Sequence, residues 1–336
     1  LDITPYASAE QPGHNFKKDA DMRTNTAGPD YVAYLLLLGV GFIWGGQFVF
    51  NAQAIEHFPA MTVTATRVVI GALTLTVASW LVSEKAEQSE QSSPWSIRLL
   101  FIAVALFEGV LPLFLITWGQ QHVASSVTAV IVGSVPIATL VLSVFVGSKK
   151  SRLSVASAMS VVLGFVGIVV LINPTAAGAG SHELVYELAV FAGVVSFALS
   201  MTLFEKLPHG APIRTARNIL WIASVPLVVI ALAFDKPWLL SWGFSEVLPV
   251  LVLGVVGSGA AYVMYASLIQ RSGPVFTSIS NFIVPVVGVL LGVAVRGEYF
   301  GTREVLALLF IIAALAANEI KFSKKARSSM RAVDPS

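Results

Sequence analysis

The chain has 336 residues, of which 56% are hydrophobic and only 12% charged, and its mean hydropathy is +0.79. Soluble domains carry about 25% charged residues, so lipid must cover most of this surface. The net charge of +2 is ordinary, and the absence of cysteine excludes disulfide scaffolds, thiol nucleophiles and Cys-based metal sites. Five scattered histidines (His14, His57, His122, His182, His209) offer no pair at ligand spacing, so no metal centre is expected.

Residues 1–30 are polar and lack an apolar core, which excludes a cleavable secretory signal. They read as a disordered arm, and Met22 is a candidate native start within it. A spanning helix needs roughly 20 apolar residues at about 1.5 Å each. Runs of that kind occur near 31–51, 62–82, 97–117, 125–146, 153–172, 184–204, 214–234, 246–269, 275–295 and 303–320. Short connections rich in Pro, Gly, Asn, Ser or charge separate them, among them Asn173-Pro174 and Asp235-Lys236-Pro237. Arg214, Arg217 and Asn218 crowd the start of the seventh run. The expected fold is an all-α polytopic membrane protein of ten transmembrane helices.

Lysine and arginine set the orientation. With the N-terminus in the cytoplasm, seventeen of the 21 basic residues fall on that side, five of them in the tail 321–336. Lys236, Arg296 and Arg303 fall on the other, and Arg67 lies inside a span. Both termini are therefore expected in the cytoplasm of a bacterial-type plasma membrane.

Sliding the chain on itself by about 149 residues aligns Gln121 with Gln270, Thr128 with Thr277 and Pro136 with Pro285. One step away, Arg67 aligns with Arg217. The chain thus divides into halves of five spans, 31–172 and 184–320. Five is odd, so the second half enters the membrane upside down. Such inverted repeats build many secondary transporters, with the substrate site near the midplane between the halves. A duplication kept only for packing is the bland alternative.

Trp44-Gly45-Gly46-Gln47-Phe48 in span 1, Arg67 after Pro59, the prolines of spans 4 and 9, and Gly297-Glu298 after span 9 carry a resemblance. In this order across two halves, the chain resembles the EamA branch of the drug/metabolite transporter superfamily over about residues 31–320. The resemblance implies a secondary transporter that exports or exchanges small solutes, often amino acids or related metabolites. In the first half, Gly147-Ser148-Lys149-Lys150 replaces the usual Gly-Glu pair, which weakens any role transferred there.

Polar residues inside the spans are the site candidates. Glu108, near the middle of span 3, could carry a proton or offset a cationic substrate; a hydrogen bond that only fixes packing is the alternative. Arg67 could grip a carboxylate with its bidentate fork, or snorkel to the interface. Trp44, Gln47 and Asn51 share one face of span 1 and suit a water-filled path, an interhelical hydrogen bond being the alternative. Thr277, Asn281, Pro285, Gly288 and Gly292 share a face assigned to span 9, and Gly254, Ser258 and Tyr262 one of span 8. The small members suit close helix approach, leaving Tyr262 and Asn281 as cavity candidates. Pro136 and Pro285 are the expected bending points of an alternating-access cycle.

No clustered catalytic set and no P-loop is present, so neither an enzyme nor a self-contained ATP-driven pump is expected. A passive small-solute channel is the main alternative, and a receptor or scaffold would need larger extramembrane domains. No cofactor is expected, though proton coupling through Glu108 is open. The expected partners are a small-molecule substrate and the lipid bilayer, with no nucleic acid; the oligomeric state is left open.

Overall fold

The computed structural model describes residues 31–82, 95–146, 155–172, 182–204, 206–207, 211–277 and 280–333. The expected N-terminal arm lies outside them. The described residues form ten helices, and each coincides with one apolar run. In chain order they are α1 (Tyr31–Ala54), α2 (Ala60–Leu81), α3 (Trp95–Gly119), α4 (Ser125–Val132 and Val135–Val146) and α5 (Val155–Ile172). The second half repeats them as α6 (His182–Phe204), α7 (Pro212–Phe234), α8 (Phe244–Leu251, Val252–Ala260 and Ala261–Thr277), α9 (Ser280–Arg296) and α10 (Thr302–Val333).

By length and composition seven of these are apolar enough to cross a bilayer. α9 is shorter, 17 residues or about 25 Å, still close to a hydrocarbon thickness of about 30 Å. Apolar side chains such as Phe42, Val77, Phe165, Val229 and Leu290 face outward and are exposed. That pattern suits lipid, which cannot satisfy loose backbone groups but accepts these surfaces.

Helix packing follows the repeat. The halves interlock through α5 against α10, α2 against α7, and α4 against α9. Each remaining major contact has a mate when the halves are exchanged: α1 with α9 and α6 with α4, α1 with α8 and α6 with α3, α2 with α8 and α7 with α3. This is the contact pattern of a pseudo-two-fold axis relating two inverted five-helix repeats. Both halves also share a local irregularity. α3 widens into a π-helical stretch at Ala105–Val110 and α8 at Val252–Ala260, and the two overlap at an offset of 149. In α3 the cause is Pro112, which cannot donate a hydrogen bond to the carbonyl four residues back, that of Glu108.

Glycines set the close crossings of α1 and α9. A Cβ on Gly45 would lie 2.8 Å from the Val284 carbonyl oxygen and 2.7 Å from Val287 Cβ. Gly288 meets Ala129 of α4 on the same helix's other flank. The structure amends two details of the expected elements. Thr277 ends α8 and does not belong to α9. α4 breaks at Gly133-Ser134, two residues before Pro136, whereas α9 runs unbroken through Pro285. Two short segments meet at the break, and the ring of Pro285 lies against it: a Cβ on Gly133 would be 3.1 Å from Pro285 Cβ and Cγ.

Candidate functional site

A cavity of about 150 Å³ lies between the halves. It is smaller than the roughly 300–1,000 Å³ pockets that hold drug-sized ligands. Trp44, Gln47 and Asn51 of α1, Arg67 of α2, Glu108 of α3, Pro136 of α4, Tyr262 of α8 and Asn281 of α9 all line it. Pro285 is buried behind Gly133, one layer away.

Arg67 is 5% exposed, yet among the described residues it has no carboxylate at ion-pair distance. Its Nη2 donates to Gln47 Oε1 at 2.8 Å and to Ser258 Oγ at 3.3 Å, while its buried Nε has no hydrogen-bond partner. Snorkelling is excluded, because the guanidinium points into the bundle. An unpaired buried cation is costly, and the open donors present half of the fork that binds carboxylates. Its repeat mate differs. Arg217 donates to Ser79 and Asn218 near the end of α2 and does not line the cavity.

Glu108 opens on the same cavity from the π-helical stretch of α3. Tyr262 donates its phenolic proton to Glu108 Oε1 at 3.0 Å, and the Ser200 hydroxyl of α6 contacts Oε2. Tyr262 also stands within electrostatic reach of Arg67. Trp44 crosses Tyr262 edge to face, with centroids 6.0 Å apart, and leans on Tyr265 at 5.1 Å. Its indole Nε1 donates to the Gly257 carbonyl at 3.3 Å, a backbone group accessible because the wider π turn loosens the ladder.

One end of the cavity is closed. This is the end where α1 finishes and α2 begins, termed the far end. Asn51 Nδ2 donates to Gln120 Oε1 at 2.7 Å, Gln120 Nε2 to the Phe48 carbonyl at 3.0 Å, and Thr117 Oγ1 to Asn51 Oδ1 at 3.1 Å. Both alternatives for Asn51 therefore hold, since it lines the cavity and also forms an interhelical bond. Beyond this layer, Glu298 caps the N-terminus of α4. Its Oε1 accepts from Ser125 N at 2.8 Å and Ser125 Oγ at 2.6 Å, and its Oε2 from Ser126 N at 2.8 Å. Asp235 caps α2 likewise, its Oδ2 accepting from Thr62 N and Oγ1, each at 2.8 Å. Arg296 adds an ion pair to Glu56 at 2.8 Å. Partial burial pushes the Glu298 carboxyl up, but the hydroxyl and amide donors of Ser125 and Ser126 outweigh this and hold it below the usual carboxylate range. Toward the opposite, near end the lining reaches Met201 and Asn281, on the last turn of α6 and the first of α9.

Sequence reasoning missed Ser200, Gln120 and Thr117. The only signal for them was polarity inside apolar runs; their roles depend on neighbours from other helices. Among the described residues no group of His, Asp or Glu could hold a metal ion.

Ten helices in two interlocked inverted halves, seven of them long and apolar enough to cross a bilayer, enclosing a largely apolar cavity with a few charged and polar side chains in its wall, define an integral membrane transporter. The EamA-like transporter family model matches twice, over residues 31–173 and 184–318, and the chain belongs to that family, within the drug/metabolite transporter superfamily. It is a family of transporters and not of enzymes. The chain is 24% identical over 292 residues to the uncharacterized transporter YoaV of Bacillus subtilis, covering 86% of this chain and 97% of that one. It is also 22% identical over 280 residues to protein PagO of Salmonella typhimurium, covering 83% and 90%. The uncharacterized inner membrane transporter YedA of Escherichia coli K12 is 24% identical over 280 residues, covering 83% and 88%. A solved crystal structure superposes with a TM-score of 0.59 at 18% identity, over 85% of this chain and 96% of that one, and shares the fold.

Proposed function

We propose that the protein is a secondary exporter or exchanger of a small zwitterionic metabolite of the amino-acid class, working by alternating access between the halves 31–172 and 184–320. The observation that carries this reading is the pairing of two charged groups in one small cavity. Arg67 has unfilled donors suited to a carboxylate, and Glu108, beside the rings of Trp44 and Tyr262, suits an ammonium group. The far end is the extracellular side, with both termini in the cytoplasm, as the distribution of Lys and Arg supports. The structure then corresponds to an outward-closed state, with the cavity extending toward the cytoplasm.

Pro136, beside the break in α4, and Pro285 packed against that break form the hinge between this state and the outward-open one. Glu108 carries the coupling proton: the carboxyl gives it up to water on the open side as the substrate's ammonium takes its place at the carboxylate, so proton and substrate compete for one site and their movements are linked. The test is counterflow in proteoliposomes loaded with amino acids. Saturable, trans-stimulated exchange that Arg67→Gln abolishes is expected. Unsaturable, potential-driven flux would indicate a channel and overturn the carrier.

A further inference from the structure

The π-helical stretches of α3 and α8 occupy equivalent places in the two halves, and both border the cavity. At the offset of 149 residues that aligns them, Glu108 corresponds to Gly257. The repeat therefore places a charged side chain at one position and no side chain at its mate. Both residues line the cavity.

Most glycines of these helices are filled by neighbours. A Cβ on Gly109 would lie 2.6 Å from Ala223 Cβ, on Gly254 2.5 Å from Ile70 Cβ, and on Gly259 2.7 Å from Thr74 Cβ. At Gly133, the other glycine of the cavity wall, it would press on Pro285 at 3.1 Å. Gly257 differs from all of these. A Cβ there would meet nothing nearer than Arg67 Nη2 at 3.7 Å, followed by the Val252 carbonyl at 3.9 Å and Gln47 Oε1 at 4.0 Å. The space is ordinary van der Waals room, so packing does not require glycine here. The backbone does not require it either, since Gly297 is the positive-φ glycine among the described residues.

We infer that Gly257 is a specificity-determining residue. Its missing side chain leaves the volume beside the Arg67 guanidinium in which the body of the transported solute lies, and so sets the largest solute admitted. The inference rests on the cavity being the transport site. A side chain at 257 would stand beside the Arg67 guanidinium, nearest its Nη2, without disturbing the helix contacts. It would also leave the Trp44 bond to the Gly257 carbonyl in place, because that bond uses backbone.

Two measurements test this. First, the chain has no cysteine, so Gly257→Cys gives a single thiol. A methanethiosulfonate transfers its alkylthio group to a cysteine thiolate, forming a mixed disulfide and releasing methanesulfinate. Gly257→Cys is expected to react several-fold faster with an anionic sulfonatoethyl reagent than with a cationic trimethylammonium one, and Arg67→Gln should erase that preference. Gly109→Cys, at a packed position, should stay unreactive. A Gly257→Cys thiol as inert as Gly109→Cys overturns the inference.

Second, counterflow of L-alanine, L-leucine and L-tryptophan is compared in Gly257→Ala and Gly257→Val. A methyl group in a close-fitting pocket is worth about 10–200-fold in discrimination. The largest amino acid carried by the wild type should lose roughly tenfold or more in Gly257→Ala, while the smallest carried is unchanged. Equal rates for every solute in both variants overturn the inference even if the thiol reacts. Normal exchange by Arg67→Gln overturns the cavity itself as the site. A wild type that exchanges none of the three overturns the proposed substrate class, and Gly257 is then decided by the thiol chemistry alone.

Discussion

Two residues show how a charge inside this protein is used. Arg67 keeps donors open toward a cavity, whereas Glu298 spends both oxygens on helix-terminal amides. Arg67→Lys retains the cation but loses the planar fork. Counterflow affinity is expected to fall by roughly 10–150-fold, in line with the loss of one charge-assisted hydrogen bond of roughly 1.5–3 kcal/mol; an unchanged affinity would remove the bidentate contact. Glu298→Ala leaves the Ser125 and Ser126 amides of α4 without their acceptor, at about 1–3 kcal/mol. The apparent melting temperature in detergent should drop accordingly. The pH dependence follows from the carboxyl being held below its ordinary value. Its stabilisation is fully present above the unfolded-state value of about 4.3 and is lost as pH falls through the lower folded-state value. Arg296 and Glu56 face the same cluster, Arg296 pairing with Glu56 at 2.8 Å and with Glu298 at 3.5 Å. A melting profile of Glu298→Gln parallel to that of the wild type between pH 6 and pH 3 would contradict this origin.

At the scale of elements, α1, α4 and α9 carry the consequences of close approach. Gly45 lets α1 lie on the Val284 carbonyl, so Gly45→Ala must move backbone, with 2.8 Å available where van der Waals contact needs more. Overpacking of this kind costs about 1–3 kcal/mol, and thermal unfolding should register it where Gly257→Ala changes nothing. The Glu298 cap ties the end of α9 to the start of α4, and loss of it should loosen the far end first. A cysteine placed at Ser125 should thus react faster with impermeant maleimide when Glu298 is also Gln. Equal rates would show that the Asn51–Gln120–Thr117 layer closes the path alone. The break in α4 was signalled by Pro136, but its place at Gly133-Ser134 was set by what packs there, namely Pro285 from the other half. Sequence periodicity sees one helix at a time and contains no such neighbour.

For the whole molecule, the charge bias predicts which side each loop faces. Lys236→Cys is expected to react with an impermeant thiol reagent added to intact cells, and Lys150→Cys only after permeabilisation. Labelling in the opposite sense would invert the topology and with it the assignment of the closed end. The pattern of mated helix contacts makes the two halves exchangeable in principle. Their side chains are not: Glu298 aligns with Lys149, and Glu108 with Gly257. Glu298 caps α4 at the far end, while the aligned residue of the first half is a lysine of opposite charge. The family places this chain among transporters.

The sequence alone determined the ten spans, their division into two halves and the inversion. Those follow from bulk hydropathy and chain parity, which need no knowledge of neighbours. It also marked Glu108, Arg67, Trp44, Gln47, Asn51, Tyr262 and Asn281, because polarity is conspicuous within an apolar run. Only the tertiary structure decided that these side chains share one cavity and that Ser200 and Gln120 hold two of them. It likewise decided that Arg67 has no carboxylate at ion-pair distance among the described residues and that Gly257 has room beside it. Each depends on distances between helices far apart in the chain, and no local pattern encodes such a distance.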